Sequence, residues 1–339
     1  MRILFASHKG LPDHRIERAA QVARAAGHTV TFLGLGTTRQ PLLNVFESLT
    51  MLRSINNRQA ALDQRIRMEW ADAVRQIDPD LVHASNIIAA HFTDRLDMPM
   101  VYDDHEYWSA QRIVYQNWPA WKRLAIRPFL ESIPRWEREI VSRHVTITVS
   151  EPIAAEHRRY GPNVFVLPNY SSLVEVKDLP VNPQRVGIAY VGDDFVRPRF
   201  SPHRDMTGLR EHVSFDDFHG LPRDELYRRL TRYKFGLVPF RDSAYSRYIA
   251  CSKTFDYLNC GLQVLMTRTL YESHGRLPFT HAFDSYDEIE PLTRRLPHVD
   301  PAEIMHYAHE NLVWEAQSDK LLAAYELELQ LHGAGRGQR

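Results

Sequence analysis

Short runs of apolar and β-branched residues alternate along the chain with longer stretches whose apolar positions recur every three or four residues. That alternation predicts βαβ units built around parallel sheets. The first run, Ile3–Ala6, passes through a loop, Ser7–Asp13, into an amphipathic helix carrying Ile16, Ala19, Ala20, Val22 and Ala23 and stopped by Gly27. Thr29–Leu33, Asp80–Ala84, Met100–Asp103, Val145–Val149 and Phe165–Leu167 predict further strands. The segment 41–77 reads as helical, with Leu42, Val45, Phe46 and Leu49 on one apolar face. Tyr170–Arg185, aperiodic and holding Ser171, Ser172, Pro180 and Pro183, reads as an interdomain linker. A second series follows, with strands at Gly187–Val191, Val213–Phe218, Phe235–Pro239 and Gln263–Met266 and helices at about 224–232 and 253–260. A long helix or helix pair over about 303–331 closes it. The domains expected are 1–169 and 186–308 around a linker at 170–185, then a terminal helix at 309–332 and a disordered tail at 333–339.

The 339 residues exceed what one core usually needs, so the fold class is α/β with two Rossmann-like, doubly wound domains. In such a pair the carboxyl ends of the sheets flank a cleft, where ligands bind. Lys+Arg and Asp+Glu are 42 each, and this zero net charge argues against a dedicated nucleic-acid binder. Cys251 and Cys260 cannot build a disulfide scaffold or a four-ligand zinc site and fit a reducing compartment. The amino-terminal apolar run is shorter than the roughly 7–15 residues of a signal peptide, and no stretch nears the ~20 of a membrane span. A cytoplasmic protein is expected.

The loop Ser7-His8-Lys9-Gly10-Leu11-Pro12 lacks the G-x-G-x-x-G turn of a dinucleotide site, and no Walker lysine pattern occurs. His8 and Lys9, at the mouth of a parallel sheet, read equally as ligand contacts or as a solvated loop. The densest polar cluster is Tyr102-Asp103-Asp104-His105-Glu106-Tyr107-Trp108, directly after a strand. A histidine flanked by carboxylates there suits acid/base work, because a carboxylate can orient the ring and tune its protonation. The bland reading, a helix capped by Asp103 or Asp104, is compatible with that role. Three carboxylates also suit a divalent ion, yet no second cluster offers complementary ligands, so no metal is expected.

In the second half Ser252 reads as the cap of a helix whose first-turn N–H groups and partial positive charge suit a phosphate. Lys253, one of six lysines in an arginine-rich chain, adds a full charge. Between Asn117 and Arg143, Trp118, Trp121 and Trp136 are interleaved with basic residues including Arg127. Such a stretch either lies on an anionic membrane or completes a core, with its arginines paired to Glu131, Glu137 and Glu139.

Taken in order, these motifs resemble the GT-B glycosyltransferases, specifically those related to glycosyltransferase family 4. The first half contributes Ala26-Gly27-His28-Thr29-Val30, Asp80-Leu81-Val82-His83-Ala84, Val101-Tyr102-Asp103-Asp104-His105-Glu106, Thr146-Ile147-Thr148-Val149-Ser150-Glu151 and Val166-Leu167-Pro168-Asn169. Phe218-His219-Gly220-Leu221-Pro222, Gly236-Leu237-Val238-Pro239 and the run from Ser252 to Val264 look like donor-domain elements. The region Asn311-Leu312-Val313-Trp314 resembles the helix that crosses back to the first domain. Two features depart from the family. Its paired glutamates would fall at Tyr248 and Asp256, so the first is missing and the second shortened, as in Ser-Lys-motif relatives that include a xanthan-type glucuronosyltransferase. One β–α step is also trimmed or replaced by Phe195–Gly208.

The resemblance implies transfer of a sugar from a nucleoside-diphosphate sugar to a glycan or lipid-linked acceptor, with no cofactor beyond that donor. His105 would act on the acceptor, with Asp103, Asp104 and Glu106 around it and Asp103 or Glu106 holding its ring. Gly192, Arg197, Gly220, Leu221, Tyr248, Ser252, Lys253 and Asp256 would contact the donor, and His8 and Lys9 would form the acceptor-side loop. Membrane contact would run through Trp118, Trp121, Arg127 and Trp136. The rivals are a sugar-nucleotide epimerase, which needs no acceptor, and a non-catalytic GT-B subunit, which the altered glutamate pair would favour.

Overall fold

The apolar runs of the first half become parallel strands: β1 Arg2–Ser7, β2 Thr29–Leu35, β3 Leu49–Leu52, β4 Leu81–Ser85, β5 Met100–Asp104, β6 Thr146–Thr148 and β7 Val164–Val166. They form one sheet in the order β3-β2-β1-β4-β5-β6-β7, in register from Ile3 beside Val30 and Leu81 outward. Strand β3 interrupts the segment expected to be helical. Its four residues, Leu49-Thr50-Met51-Leu52, lie half-buried or exposed at the sheet edge, and Leu49 falls in step with Leu42, Val45 and Phe46 at helical spacing, which hides the strand. This computed structural model describes residues 1–53, 61–116, 118–192 and 206–336.

The chain divides into two units, one of Met1–Arg112, Pro119–Leu167 and Gln317–Arg339, the other of Ile113–Trp118 and Pro168–Ala316. The first unit's core joins β1, β2, β4 and β5 to helices on the sheet face, through Leu4, Leu33, Trp70, Val82, Ile88 and Tyr102 among others. The helix Ala120–Arg143 presents Phe129, Ile133, Trp136 and Ile140 to that core, a 3–4 residue spacing that puts them on one face. Helix His14–Ala25 starts at Asp13, whose carboxylate accepts from the Arg15 and Ile16 N–H groups, while Glu17 accepts from the Asp13 N–H.

The second unit holds β8 Val186–Val191, β9 Asp216–Phe218, β10 Tyr233–Val238, β11 Gln263–Thr267 and β12 Thr280–Phe283, parallel in the order β12-β11-β10-β8-β9. Two hydrophobic layers cover its faces, one around Tyr227, Tyr257, Leu258 and Ile304, the other around Tyr190, Phe215, Leu237 and Phe283. Gly236 in β10 is required by close approach: a Cβ there would sit 2.2 Å from the Tyr257 ring. That ring carries a hydroxyl that accepts from the Val191 N–H (2.7 Å) and donates to the Leu237 carbonyl (3.2 Å), pinning the ends of β8 and β10.

Residues 170–185 are not a bare linker. Helix Leu173–Val176 is held by a capping box, Ser171 bonds to Asp256 and Tyr227, and Arg185 donates to the Cys260 carbonyl. The absence of periodicity that suggested a linker reflects packing through individual side-chain hydrogen bonds rather than by a regular face. The carboxyl-terminal segment forms a helix pair, Pro301–Asn311 and Ser318–Arg336, the second belonging to the first unit. It continues to Arg336, beyond the expected start of a disordered tail at 333, and residues 337–339 lie outside the described residues. Glu328 anchors it by accepting from the Met100 and Val145 N–H groups (3.0 and 2.8 Å) and pairing with His144 (2.8 Å). Burial lowers the His144 pKa, but its bonds to Asp94 and Glu328 outweigh that and raise it to about 9, so the ring is cationic at neutral pH.

Candidate functional site

In the first unit the strand order reverses between β1 and β4, the position where open parallel sheets form a ligand crevice beyond their carboxyl ends. His8 leaves β1 there, buried, with its ring edge-on to Trp108 at 5.5 Å. Asn86 leaves β4 with a left-handed φ of 70° and opens the helix Asn86–Thr93. Its side-chain oxygen accepts from the Trp108 indole at 2.8 Å, which fixes the turn after β5 against the end of β4. Lys9 is exposed beside His8.

The cluster after β5 is split by depth. Asp103 and Asp104 are fully buried, whereas His105 and Glu106 are half-buried in the turn that follows. Asp103 does not hold the His105 ring by a hydrogen bond, contrary to expectation. Its oxygens are occupied by the Arg15 guanidinium at 2.7–3.1 Å and by His83 Nε2 at 3.1 Å. Arg15 also donates to the Leu167 carbonyl (2.9 Å), and His83 Nδ1 meets the Tyr325 hydroxyl (2.9 Å). Burial pushes the Asp103 carboxyl up, but Arg15 and the bond from His83 overcome it and hold the group below the usual carboxylate range. Asp104 pairs with His157 Nε2 at 2.8 Å instead of facing the crevice. Glu106 donates its N–H to Asp104 (3.4 Å) and its carbonyl accepts from Gln111. His105 Nε2, shielded from water, has no hydrogen-bond partner among the described residues.

Asp104, His157 and Glu137 are buried with ligand atoms within 4.8 Å of one another, the one such group among the described residues. Burial, reinforced by the Asp104 charge, raises the Glu137 carboxyl to about 7, while bonds to Asp104 outweigh burial and raise His157. Glu137 further bonds to the Tyr102 hydroxyl (3.1 Å), the Ser109 N–H (3.2 Å) and the Ser109 hydroxyl, tying the helix Ala120–Arg143 to the turn that carries His105.

In the second unit the order reverses between β8 and β10. Gly192 follows β8 with a φ of 135°, and a Cβ there would lie 2.5 Å from the Lys253 Nζ. The ammonium sits 4.4 Å from the Tyr190 ring centroid, 3.3 Å from the Tyr190 hydroxyl and 5.2 Å from the Phe240 ring centroid. The positive φ favours glycine at this position, and the end of the lysine lies against its bare Cα. The Gly192 N–H donates to the Phe218 carbonyl (2.8 Å), placing the loop with exposed Gly220 and half-buried Leu221 beside it.

Ser252 is not the helix cap. The helix Ser252–Asn259 begins after Cys251, which supplies no side-chain bond to the first-turn N–H groups. The turn is held from behind by His274, whose Nε2 accepts from the Cys251 N–H at 3.1 Å. Asp256 is directed inward rather than toward a sugar hydroxyl: its Oδ1 accepts from Ser171 (2.8 Å), Tyr227 (2.7 Å) and Arg223 (3.1 Å). Tyr248 is buried in a short turn, with the Arg247 guanidinium over its ring at 4.5 Å and bonded to its hydroxyl. Arg197 lies outside the described residues, as does most of the span 195–208.

The aromatic, basic stretch is divided too. Trp136 is buried and stacks on His91 at 3.8 Å, so it is a core residue and not a membrane contact. Trp118 is half-buried with its ring against Tyr115 at 4.6 Å, and Asn117 lies outside the described residues. Trp121 and Leu124, each 69% exposed, share one face of the first helical turns. Arg127, exposed beside them, pairs with Glu131 at 2.7 Å.

Residues 14–170 match the family model of Glycosyltransferase Family 4. Among solved structures, sucrose-phosphate synthase from Thermosynechococcus elongatus is similar with a TM-score of 0.63 and 13% identity, covering 100% of this chain and 98% of its own. HepE of Anabaena, solved with UDP and glucose, gives 0.61 and 10%, covering 96% and 99%. A glycosyltransferase from Rickettsia africae gives 0.58 and 12%, covering 97% and 98%. No curated protein matches the sequence. The chain has the GT-B fold, two parallel-sheet α/β units, and resembles the glycosyltransferases of family 4.

Proposed function

We propose that the protein transfers a glycosyl group from a nucleoside-diphosphate sugar to a glycan or lipid-linked acceptor. The observation that carries this reading is the junction of Lys253, Gly192 and an uncapped helix start at the β8/β10 reversal. A departing diphosphate needs fixed positive charge where its own charge grows, and a lysine with first-turn N–H groups supplies it. HepE, a GT-B neighbour, is solved with UDP, which supports a nucleotide donor here. On the first unit, His105 Nε2 is the group suited to an acceptor hydroxyl. It is shielded from water, without a partner among the described residues, and two residues from the Asp103 charge. Isothermal titration of the full chain with UDP-sugars tests donor binding directly; no saturable binding by any nucleoside diphosphate overturns the reading.

The proposed reaction is metal-independent, with Lys253 rather than an ion at the Asp104–Glu137–His157 carboxylates supplying the positive charge. Transfer measured in EDTA should equal transfer in its absence. Complete loss, restored by Mg²⁺ or Mn²⁺, would show that those carboxylates hold an ion.

A lipid-linked acceptor is favoured by the exposed pair Trp121 and Leu124 among Lys122, Arg123 and Arg127. An amphipathic aromatic on a basic helix start suits the interface of an anionic bilayer. No helix among the described residues is long and apolar enough to cross a membrane. Attachment should therefore be peripheral and weakened by salt. The chain should float with anionic vesicles at low salt, less so at high salt, and Trp121→Ala should reduce flotation. Failure to float at low salt favours a soluble glycan acceptor.

A further inference from the structure

Apart from the residues assigned to donor and acceptor, the second unit carries a cavity of about 540 Å³ walled by Phe218, Glu225, Arg228, Arg229, Arg232 and Tyr233. Its walls follow from the local fold. Helix Arg223–Leu230 places Glu225, Arg228 and Arg229 at i, i+3 and i+4, on one face, and Arg232 follows two residues after its end. Strands β9 and β10 supply Phe218 and Tyr233, whose rings meet edge to face at 5.5 Å.

The charges in this cavity do not cancel. Three guanidiniums face one carboxylate, and Glu225 pairs with Arg229. Among the described residues neither Arg228 nor Arg232 has a carboxylate partner. Neighbouring Asp216 accepts the Tyr233 hydroxyl at 2.7 Å. The helix C-terminus offers roughly half an elementary negative charge, which makes arginines favourable there but cannot balance two of them. What remains is a concave, positively charged site beside a pair of aromatic rings. Guanidinium groups match phosphate oxygens in paired bonds, and ring surfaces take a flat apolar group. The volume lies within the ~300–1,000 Å³ usual for small-ligand sites.

We propose that this cavity binds a small phosphate-bearing molecule, its phosphate on Arg228 and Arg232 and its flat portion against Phe218 and Tyr233. The inference does not rest on the transferase reading, since it uses neither Lys253 nor His105. Inorganic phosphate and phenyl phosphate are the probes, titrated calorimetrically into the full chain carrying Lys253→Ala, so that the β8/β10 reversal does not report. Phenyl phosphate should bind saturably at one site and more tightly than inorganic phosphate. Adding Arg228→Gln and Arg232→Gln should weaken it at least tenfold, with the thermal unfolding midpoint unmoved because both side chains are exposed. Absence of saturable binding, or equal affinity with and without the two glutamines, overturns the proposal. Equal affinity for the two probes overturns the role of the rings.

Discussion

Lys253→Ala should lower affinity for a nucleoside diphosphate at least tenfold while leaving the fold intact. A charge-assisted bond to a phosphate is worth roughly 1.5–3 kcal/mol, which converts to about ten- to more than a hundredfold in Kd. The structural cost is small. Lys253 is half-buried, and in the free protein its ammonium rests over the Tyr190 and Phe240 rings, an attraction worth roughly 0.5–1 kcal/mol where partly solvated. Calorimetric titration with UDP and a thermal melt on the same sample separate the two effects. A folded variant with unchanged UDP affinity would remove Lys253 from the donor site. Gly192→Ala offers a parallel reading: a Cβ placed 2.5 Å from Nζ must displace the ammonium, so affinity should fall although the charge is retained.

Why the lysine is legible in the sequence and its setting is not is a matter of sequence distance. Lys253 stands at the start of an apolar-periodic run closed by Gly261, and a lone cation at that place is visible locally. The glycine beneath it follows β8, and the rings flanking it come from β8 and the residue after Pro239. Only the parallel pairing of β8 with β10 brings them together. The same holds for Ser252. Serine before an apolar run is the ordinary cap signal, but the chain starts the helix one residue earlier, after Cys251.

The strands most legible in the sequence are those buried on both faces, such as Met100–Asp104 and Gln263–Thr267, whose runs Met100-Val101-Tyr102 and Val264-Leu265-Met266 record the burial. Strands at sheet edges carry less signal. Leu49–Leu52 and Thr280–Phe283 are partly exposed; the first falls in step with a helical apolar period and the second has only Ala282 and Phe283 as apolar residues. Buried charge is the least legible feature. Arg15 and Glu17 read as the polar face of an amphipathic helix, yet both are buried, because their partners Asp103 and the Leu43 N–H come from distant segments. One local clue exists: His83 interrupts the apolar run Leu81-Val82-His83-Ala84, and a polar residue inside a two-face-buried strand must find a partner.

That buried network should be the most sensitive structural point of the first unit. Arg15 spends its guanidinium on both Asp103 oxygens and on the Leu167 carbonyl, at the end of the unit's main segment. Both partners of the ion pair are at most 2% exposed, so water cannot replace a missing one. Arg15→Met keeps the apolar stem but leaves His83 as the one hydrogen-bond partner of the Asp103 charge among the described residues. Breaking a buried pair from one side costs about 3–5 kcal/mol, because the remaining charge is uncompensated. For a unit of this size that corresponds to a fall in midpoint on the order of 10 °C. Asp103→Asn added to Arg15→Met removes the stranded charge, and the double variant should recover much of the stability, since a neutral amide can bond to His83 at lower cost. Chemical denaturation of the single and double variants measures both. If Arg15→Met is destabilised by less than about 1 kcal/mol, the pair is not what fixes the end of β5 beneath His105. If the double variant is no more stable than the single, the cost lies in the broken bond to the Leu167 carbonyl rather than in the stranded carboxylate.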